Sequence, residues 1–432
     1  MGTFVKKVIQ LGGKHHACKR LCLSDPKILR MFSTTTCNTY RAIVKTSPRL
    51  TAQVHCCAQN LIALTCRQSL HGSTQPSSPT ADDLNTENLI SAWFNEVKTF
   101  GTLHMHNVPF DVHIQPLNPV DYPDHNKSIV KVFYNGASSH GTQESPVGRK
   151  LSELGKLCDM KVKAEDDGGK VSVTCDVPSG VQLPLLCVIK VPVKFDVDFK
   201  GSHDGSVTIG SLDCGSIKVH MERGDCHLSS IRTTSITIEC DEGNISSNKQ
   251  LLGAIHLQCG KNGSITGERF QGGSIQCTTE AGDIDVKTIY AEKTTCSSHS
   301  GNVHVRDCHG DVTVKTSDGN LTVDSLDGKL SAELENGSAD VFVTRQEGVT
   351  IATRQGDVML RFAEDNSCSL DLEAKVIEKD ESLKVVLDKQ GKGFIKSETD
   401  TVVKASAPQG KISLRVQDWL SSIKLQFGNT TS

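Results

Sequence analysis

Cys240, Cys259, Cys277 and Cys296 recur at separations of 19, 18 and 19 residues. Thiols at such a period could do two kinds of chemistry: bind a metal as thiolates, or form redox pairs. A metal cage needs ligands converging tetrahedrally on one ion, typically with a C-x-x-C pair, and these positions contain none. In a stacked repeat, like residues instead sit ~4.8 Å apart along a column. Free cysteine packs there as a small, buried hydrophobe. The spacing therefore predicts a single column of four buried thiols that packs rather than reacts.

Other residues with chemical potential are weaker candidates. "KHHACKRLC" brings His15, His16, Cys18 and Cys22 together, a set of soft ligands, but in a basic leader expected to be removed or disordered. "GSHDGS" holds Ser202, His203 and Asp204, the residue types of a hydrolase triad. Adjacent strand residues point to alternate sides, whereas a triad converges from separate segments. Asp204, Asp283, Asp311, Asp318, Asp327 and Asp357 sit at turns and could line a calcium-binding edge. Calcium solenoids carry a denser Gly-Gly-x-Gly-x-Asp pattern, whereas here there is usually one Gly per unit with Lys or Arg interspersed. No P-loop, dinucleotide fingerprint or H-E-x-x-H occurs. We assign no catalytic, cofactor-binding or metal residue from the sequence, and expect neither a cofactor nor enzymatic activity.

The elements that would position these residues are repeated. "SDGNLTVDSLDGKL" (317–330) contains two nearly identical turn-and-strand units. The same unit runs from "GSVTI" at 205 to "GDVML" at 356, mostly at intervals of nine or ten residues. Such a fixed period marks a repeat architecture. Alternation such as Ile284/Val286 and Val312/Val314 turns one face of each strand inward. Asp-Gly and Asn-Gly turns ordinarily suggest an antiparallel meander, but a meander has no reason to favour the two-unit period of the cysteines. The expected fold is all-β: a single-chain β-solenoid of Gly-turn/strand units, two per coil of about nineteen residues, with strand-rich flanking caps.

The expected organisation is a basic Ser/Thr/Cys-rich leader at 1–80, a linker and β-rich lead-in at 81–200, a repeat core at 201–362 and a β cap at 363–432. "TQPSSPTADD" (74–83) reads as the linker, "AEDDGG" as a loop, and "SIVKVFY" and "KVSVTCDV" as strands. "TENLISAWFNEV" (86–97) pairs Leu89/Ile90 with Trp93/Phe94 at helical spacing and predicts a short capping helix. "SLKVVLDK", "TVVKA" and "KISLRV" read as wider strands. "QDWLSSIKLQF" would pack Trp419, Leu420, Ile423 and Leu425 over the last coil. Six Asn-X-Ser/Thr sequons, at Asn126, Asn244, Asn262, Asn320, Asn336 and Asn429, mostly fall at repeat turns and read as turn chemistry.

Charge narrows the partners. Residues 1–80 carry eleven Lys and Arg against Asp25 alone; residues 81–432 carry 36 basic and 49 acidic side chains, a net of −13. That field disfavours a nucleic-acid partner for the body. The acid-poor, Arg- and Ser-bearing leader has the composition of an organelle transit peptide, and mitochondrial import is the expected address. No run approaches the ~18–20 apolar residues of a transmembrane span.

"VPVKFDVDFKGSHDGSVTIGSLDCGSIKV" (191–219), followed by runs of "GD[IV]xV", resembles the "putative adhesin" domain, a β-solenoid family of unknown function found widely in bacteria. The resemblance spans roughly residues 98–365. It implies the fold and supplies no catalytic residues. The expected function is a non-enzymatic protein-interaction or scaffolding module. The alternative is a carbohydrate-active or carbohydrate-binding β-helix, whose sites usually present aromatic platforms and a paired-carboxylate cleft. Between residues 201 and 361 the aromatics are Phe270, Tyr290 and Phe342 alone, which favours the scaffold.

Overall fold

The computed structural model describes residues 88–135, 158–176, 183–202, 204–397 and 399–417. The chain divides into units 1–80 and 81–432, and the architecture below is that of the second. The leader, the 74–83 linker, His203 and the "QDWLSSIKLQF" stretch beyond Gln417 lie outside the described residues.

The lead-in comprises β1 (Leu89–Glu96), β2 (Phe100–His106), β3 (Asp111–Pro116), β4 (Lys127–Tyr134), β5 (Asp159–Glu165), β6 (Lys170–Asp176), β7 (Leu185–Val191), β8 (Lys194–Gly201) and β9 (Val207–Gly210). Then come β10 (Asp213–Arg223), β11 (Cys226–Ser229), β12 (Ile231–Glu242), β13 (Ile245–Cys259), β14 (Ile265–Thr279) and β15 (Ile284–Ser298). The run continues with β16 (Val303–Asp318), β17 (Leu321–Asn336), β18 (Ala339–Gln355) and β19 (Val358–Phe362). It closes with β20 (Cys368–Lys379), β21 (Val385–Leu387), β22 (Lys392–Ile395) and β23 (Val402–Val416).

The strands form a parallel β-solenoid of about nine turns. Each coil contributes one rung to each of two facing parallel sheets, and inward residues stack in register. One column runs Val197, Ile217, Ile236, Ile255, Ile275, Thr294, Val312, Leu330, Val349 and Val403. The facing sheet carries Val112, Val207, Cys226, Ile245, Ile265, Ile284, Val303, Leu321, Ala339, Val358 and Ile412. Each fully buried Ile, Val or Leu contributes about 1.5–3 kcal/mol relative to exposure. β-branched residues suit these half-buried strands.

Turn glycines follow from the stacking distance. A Cβ on Gly301 would lie 2.0 Å from the carbonyl oxygen of Gly282, one rung below, and a Cβ on Gly282 would meet that of Gly263 at 2.0 Å. Only a residue without a side chain lets successive turns approach so closely. The nine-residue units of the sequence alternate between two edges. In the opening pair of units, Gly319 stacks on Gly301, whereas Gly328 stacks on Gly310 at the opposite edge.

Parallel pairing already begins at Phe100, since β2 pairs in parallel with both β8 and β6. The ends differ from the sequence-based expectation. In place of the expected capping helix, Leu89–Glu96 is a strand, paired antiparallel to β4. The segment also reads as alternation. Trp93 packs against the core while Phe94 points outward, 65% exposed. The free edge of β4 offers hydrogen bonds that a helix would leave unmade, so tertiary pairing overrides the local spacing. "AEDDGG" is the turn of the β5–β6 hairpin, with a single 3-10 turn at Asp166–Gly168. At the other end, "TVVKA" and "KISLRV" are one bent strand. β23 inserts between β18/β19 and β20, so that Val403 pairs with both Val349 and Leu370. Antiparallel β22 covers Cys368–Asp371 of β20, the outermost rung.

Candidate functional site

All four repeat cysteines are buried, but they do not form one column. Cys240 pairs with Cys259 and Cys277 with Cys296. Between them, Cys259 stands opposite Thr279, and Cys277 opposite Leu257. The coil there is 20 residues long, Ile245 pairing with Ile265, so an 18-residue cysteine spacing slips by one inward position. The expected single ladder is thus two stacked pairs in neighbouring columns. Burial pushes the Cys259 thiol up to about 12, and it drives Cys240 higher still. Cys277 is raised by its contact with Cys296 and then by burial. Such thiols are neither nucleophiles nor ready ligands.

The Cys240–Cys259 column continues as Thr279, Ser298, Thr316, Leu334 and Thr353. Its hydroxyls donate to turn-glycine carbonyls: Thr279 to Gly282 at 2.7 Å and Thr353 to Gly337 at 2.8 Å. This answers how polar side chains tolerate the interior. The signal, a hydroxyl residue three before Gly282, Gly301, Gly319 and Gly356, is visible in sequence once the turn is known.

The turn acids are committed elsewhere. Asp283 accepts the Asn302 backbone N–H at 2.7 Å, Asn302 accepts that of Asn320 at 3.0 Å, and Asn320 accepts that of Ser338 at 2.9 Å. Asp357 accepts the Lys411 N–H at 2.8 Å. This Asx ladder runs along the tight-turn edge, and Asn244 and Asn320 of the sequons belong to it. Asp318 accepts from the Asn336 amide. Asp204 pairs with Arg223 at 2.7 Å. Asp311 stands in register between Lys293 and Lys329, and Asp327 belongs to the outer face. The acids are divided between two edges and do not converge on one ion.

What sequence reasoning missed is the outward face of β15–β19. His304 lies with Nε2 2.9 Å from Asp324 and Nδ1 3.9 Å from Asp285, which also meets Arg306 at 3.4 Å. Arg361 bonds Asp340 at 2.6 Å and the Gln417 side chain at 2.7 Å, with its guanidinium 5.8 Å from the Phe342 ring centroid. Phe342 alternates outward, between inward Val341 and Val343, and is nevertheless buried. On the same strands the Tyr290 and His309 rings stack at 4.2 Å, with Arg269 6.0 Å from Tyr290. Asp327 bridges His309 at 3.5 Å and Arg345 at 2.8 Å. Single-residue patterns could not reveal these partners, because each lies one coil or more away along the chain. The face carries both signs in fixed positions, with no hydroxyl or thiol nucleophile bonded to its histidines in these contacts. It is suited to recognition.

Burial of Asp324 opposes its ionisation, but the His304 hydrogen bond and the charges of His304, Arg361 and Arg306 outweigh it and hold the carboxyl below its usual range. A depressed folded-state value stabilises above the unfolded value of about 3.9 and is lost as pH falls through the lower folded value. Asp324→Asn should therefore be less stable than wild type at pH 7, by under about 1 kcal/mol because the group is partly solvated. Urea melts should show the difference shrinking as the pH is lowered through and below the unfolded carboxylate range; a constant gap would disprove the ionic origin.

Comparison with known proteins bears on this same stretch. Residues 249–415 match the Toastrack DUF4097 family. The match covers β14–β22 whole, most of β13 and all but the last residue of β23, and so includes the outward face just described. Solved structures similar to this chain include a "putative adhesin" from Bacteroides fragilis, with 11% identity and a TM-score of 0.30, covering 79% of this chain and 100% of that one. Another "putative adhesin", from Parabacteroides distasonis, has 10% identity and a TM-score of 0.35, with 62% and 96% covered. A "putative lipid binding protein" from the same organism has 12% identity and a TM-score of 0.31, with 76% and 97% covered. The matched region thus holds the coils from Lys249 onward, and strands β1–β12 precede it. Among the described residues no helix is long and apolar enough to cross a membrane.

Proposed function

We propose that this chain is a non-enzymatic protein-interaction module, a rigid β-solenoid offering the outward face of β15–β19 to a polar protein partner. The observation that carries this reading is the lattice of His304, Arg306, Asp324, Asp340 and Arg361, beside the Tyr290–His309 stack. Neighbouring rungs already hold these charges in place, so a complementary surface meets them with little reorganisation. Tyr290 is 41% exposed and the Arg345 side chain 80%, and Tyr and Arg are the residue types that most often anchor interfaces. The acid-poor basic leader supports a mitochondrial address. The net charge of −13 on the body argues against nucleic acid. The Tyr290–His309 platform gives the carbohydrate alternative one foothold. Against it, Asp285, Asp324 and Asp340 are engaged by Arg306, His304 and Arg361 rather than paired across a cleft.

Proximity labelling with the full-length chain, leader intact, tests both parts. The Tyr290→Ala/Arg345→Glu double variant should lose its specific neighbours about ten-fold while its melting curve stays near wild type, since both sites are surface positions. Mitochondrial neighbours are expected for both proteins. An unchanged neighbour set in the double variant would overturn the assignment of this face. Exclusively cytosolic neighbours would overturn the address.

A further inference from the structure

Cys158 precedes β5, and Cys175 lies on β6, the other strand of the same antiparallel hairpin. Their Sγ atoms are 2.9 Å apart, less than 1 Å beyond the roughly 2 Å bonded length of a disulfide. Both are free thiols. Cys175 is buried and Cys158 half-buried, an arrangement unlike the interior cysteine pairs of the coils, which no reagent can reach. We propose that Cys158 and Cys175 form an oxidisable dithiol that closes into a disulfide and locks the β5–β6 hairpin.

Accessibility assigns the roles. Cys158 is the reachable sulfur, and a hydrogen bond from the Cys175 thiol favours its thiolate and draws its pKa down. Cys175 retains its proton, chiefly because of that same bond and then because of burial. An exposed thiolate with a resolving cysteine beside it is the usual form of a redox-responsive site. The co-reactant is a low-molecular-weight disulfide such as glutathione disulfide. The Cys158 thiolate attacks one of its sulfurs, forming a mixed disulfide and expelling one glutathione thiolate. Cys175 then loses its proton, and its sulfur attacks Cys158 Sγ, expelling the second glutathione. The protein loses two electrons and two protons, and the oxidant leaves as two thiols.

The hairpin is the outer end of the β5–β6–β2–β8–β10 stack. In the pairings of the described residues β5 has β6 as its sole partner. A covalent link at the open end of the hairpin, away from its Asp166–Gly168 turn, would suppress fraying where the parallel sheet ends. Cys187, within electrostatic reach of the pair, is the competing partner, but it is fully buried on β7.

The test uses the full chain, purified reduced and equilibrated in glutathione buffers from reducing to oxidising, then alkylated and mapped as unreduced peptides. The expected product is a Cys158–Cys175 cross-linked peptide two hydrogens lighter than its parts. Cys158→Ser should abolish it, and Cys175→Ser should accumulate the Cys158–glutathione adduct. In the oxidised protein, β5 amides should exchange at least about ten-fold more slowly. A persistent glutathione adduct in wild type, a Cys158–Cys187 link, or a free Cys158 in the most oxidising buffer would each overturn the proposal. Unchanged β5 exchange in the cross-linked protein would overturn the locking. If Cys175→Ser fails to fold, wild-type mapping and Cys158→Ser still decide it.

Discussion

Gly301→Ala should be among the most damaging single-methyl substitutions in the coils. The added Cβ would sit 2.0 Å from the Gly282 carbonyl oxygen and 2.5 Å from its carbonyl carbon, with Ser298 Oγ at 2.8 Å. The two Gly282 atoms are backbone of the adjacent rung, and no rotamer change moves them. Relief requires separating two turns and breaking the Asn302-to-Asp283 bond that joins them. Overpacking of a rigid site costs about 1–3 kcal/mol or more, and the upper end is expected here. In a solenoid each coil touches only its neighbours, so the loss should be concentrated around that coil. Hydrogen exchange should show the amides of β15–β17 opening first, together with a melting point lowered by several degrees. Gly273→Ala is the control, because nothing lies within 4 Å of its would-be Cβ, and it should stay within about 0.5 kcal/mol of wild type. Equal melting of the two variants would refute the close-approach account of the turn glycines.

Cys277→Asp should prevent stable folding of the central coils. The site is completely buried, between Leu257 and Cys296 in its column. A carboxylate there would have no cation to pair with, and an unpaired buried charge costs several kcal/mol. Cys277→Ala removes one sulfur and should cost only about 1–2 kcal/mol by cavity creation. Denaturant melts of the two variants separate a packing role from a chemical one. Native alkylation gives the complementary result: Cys240, Cys259, Cys277 and Cys296 should resist labelling until unfolding, while Cys158 reacts. Rapid labelling of the four in the native state, or two variants of equal stability, would mean that these thiols are a site after all.

Both expectations rest on features of unequal legibility. The inward columns could be read directly, because period-2 alternation in "GDIDV" or "GNVHV" states which side chains face in. The turn glycines were equally visible, since their spacing is local. The cysteine register was not. It depends on coil length, and lengths vary from 18 residues between Val303 and Leu321 to 20 between Ile245 and Ile265. A one-coil change of one residue is absorbed at a turn without altering the alternation on either side. Spacing between cysteines therefore does not say which column they enter.

The candidate recognition face was hidden for a related reason. His304 and Asp324 are 20 residues apart, and Arg361 and Gln417 are 56 apart; neither pair has a local signature. Charged residues at outward positions satisfy the alternation whatever their identity. Their pairing is set only when the rungs stack.

By itself, then, the sequence determined an all-β repeat with apolar interior columns, glycine at the turns and a strongly basic segment ahead of an acidic body. These are consequences of residue type and short-range period. Tertiary structure alone decided that Leu89–Glu96 is a strand, that β23 enters between β18/β19 and β20, and that four cysteines form two pairs. It also placed Cys158 beside Cys175. The physical reason is common to all four. An unpaired sheet edge or a neighbouring rung supplies hydrogen bonds and contacts worth more than local preference, and where those edges lie is known only once the chain has coiled.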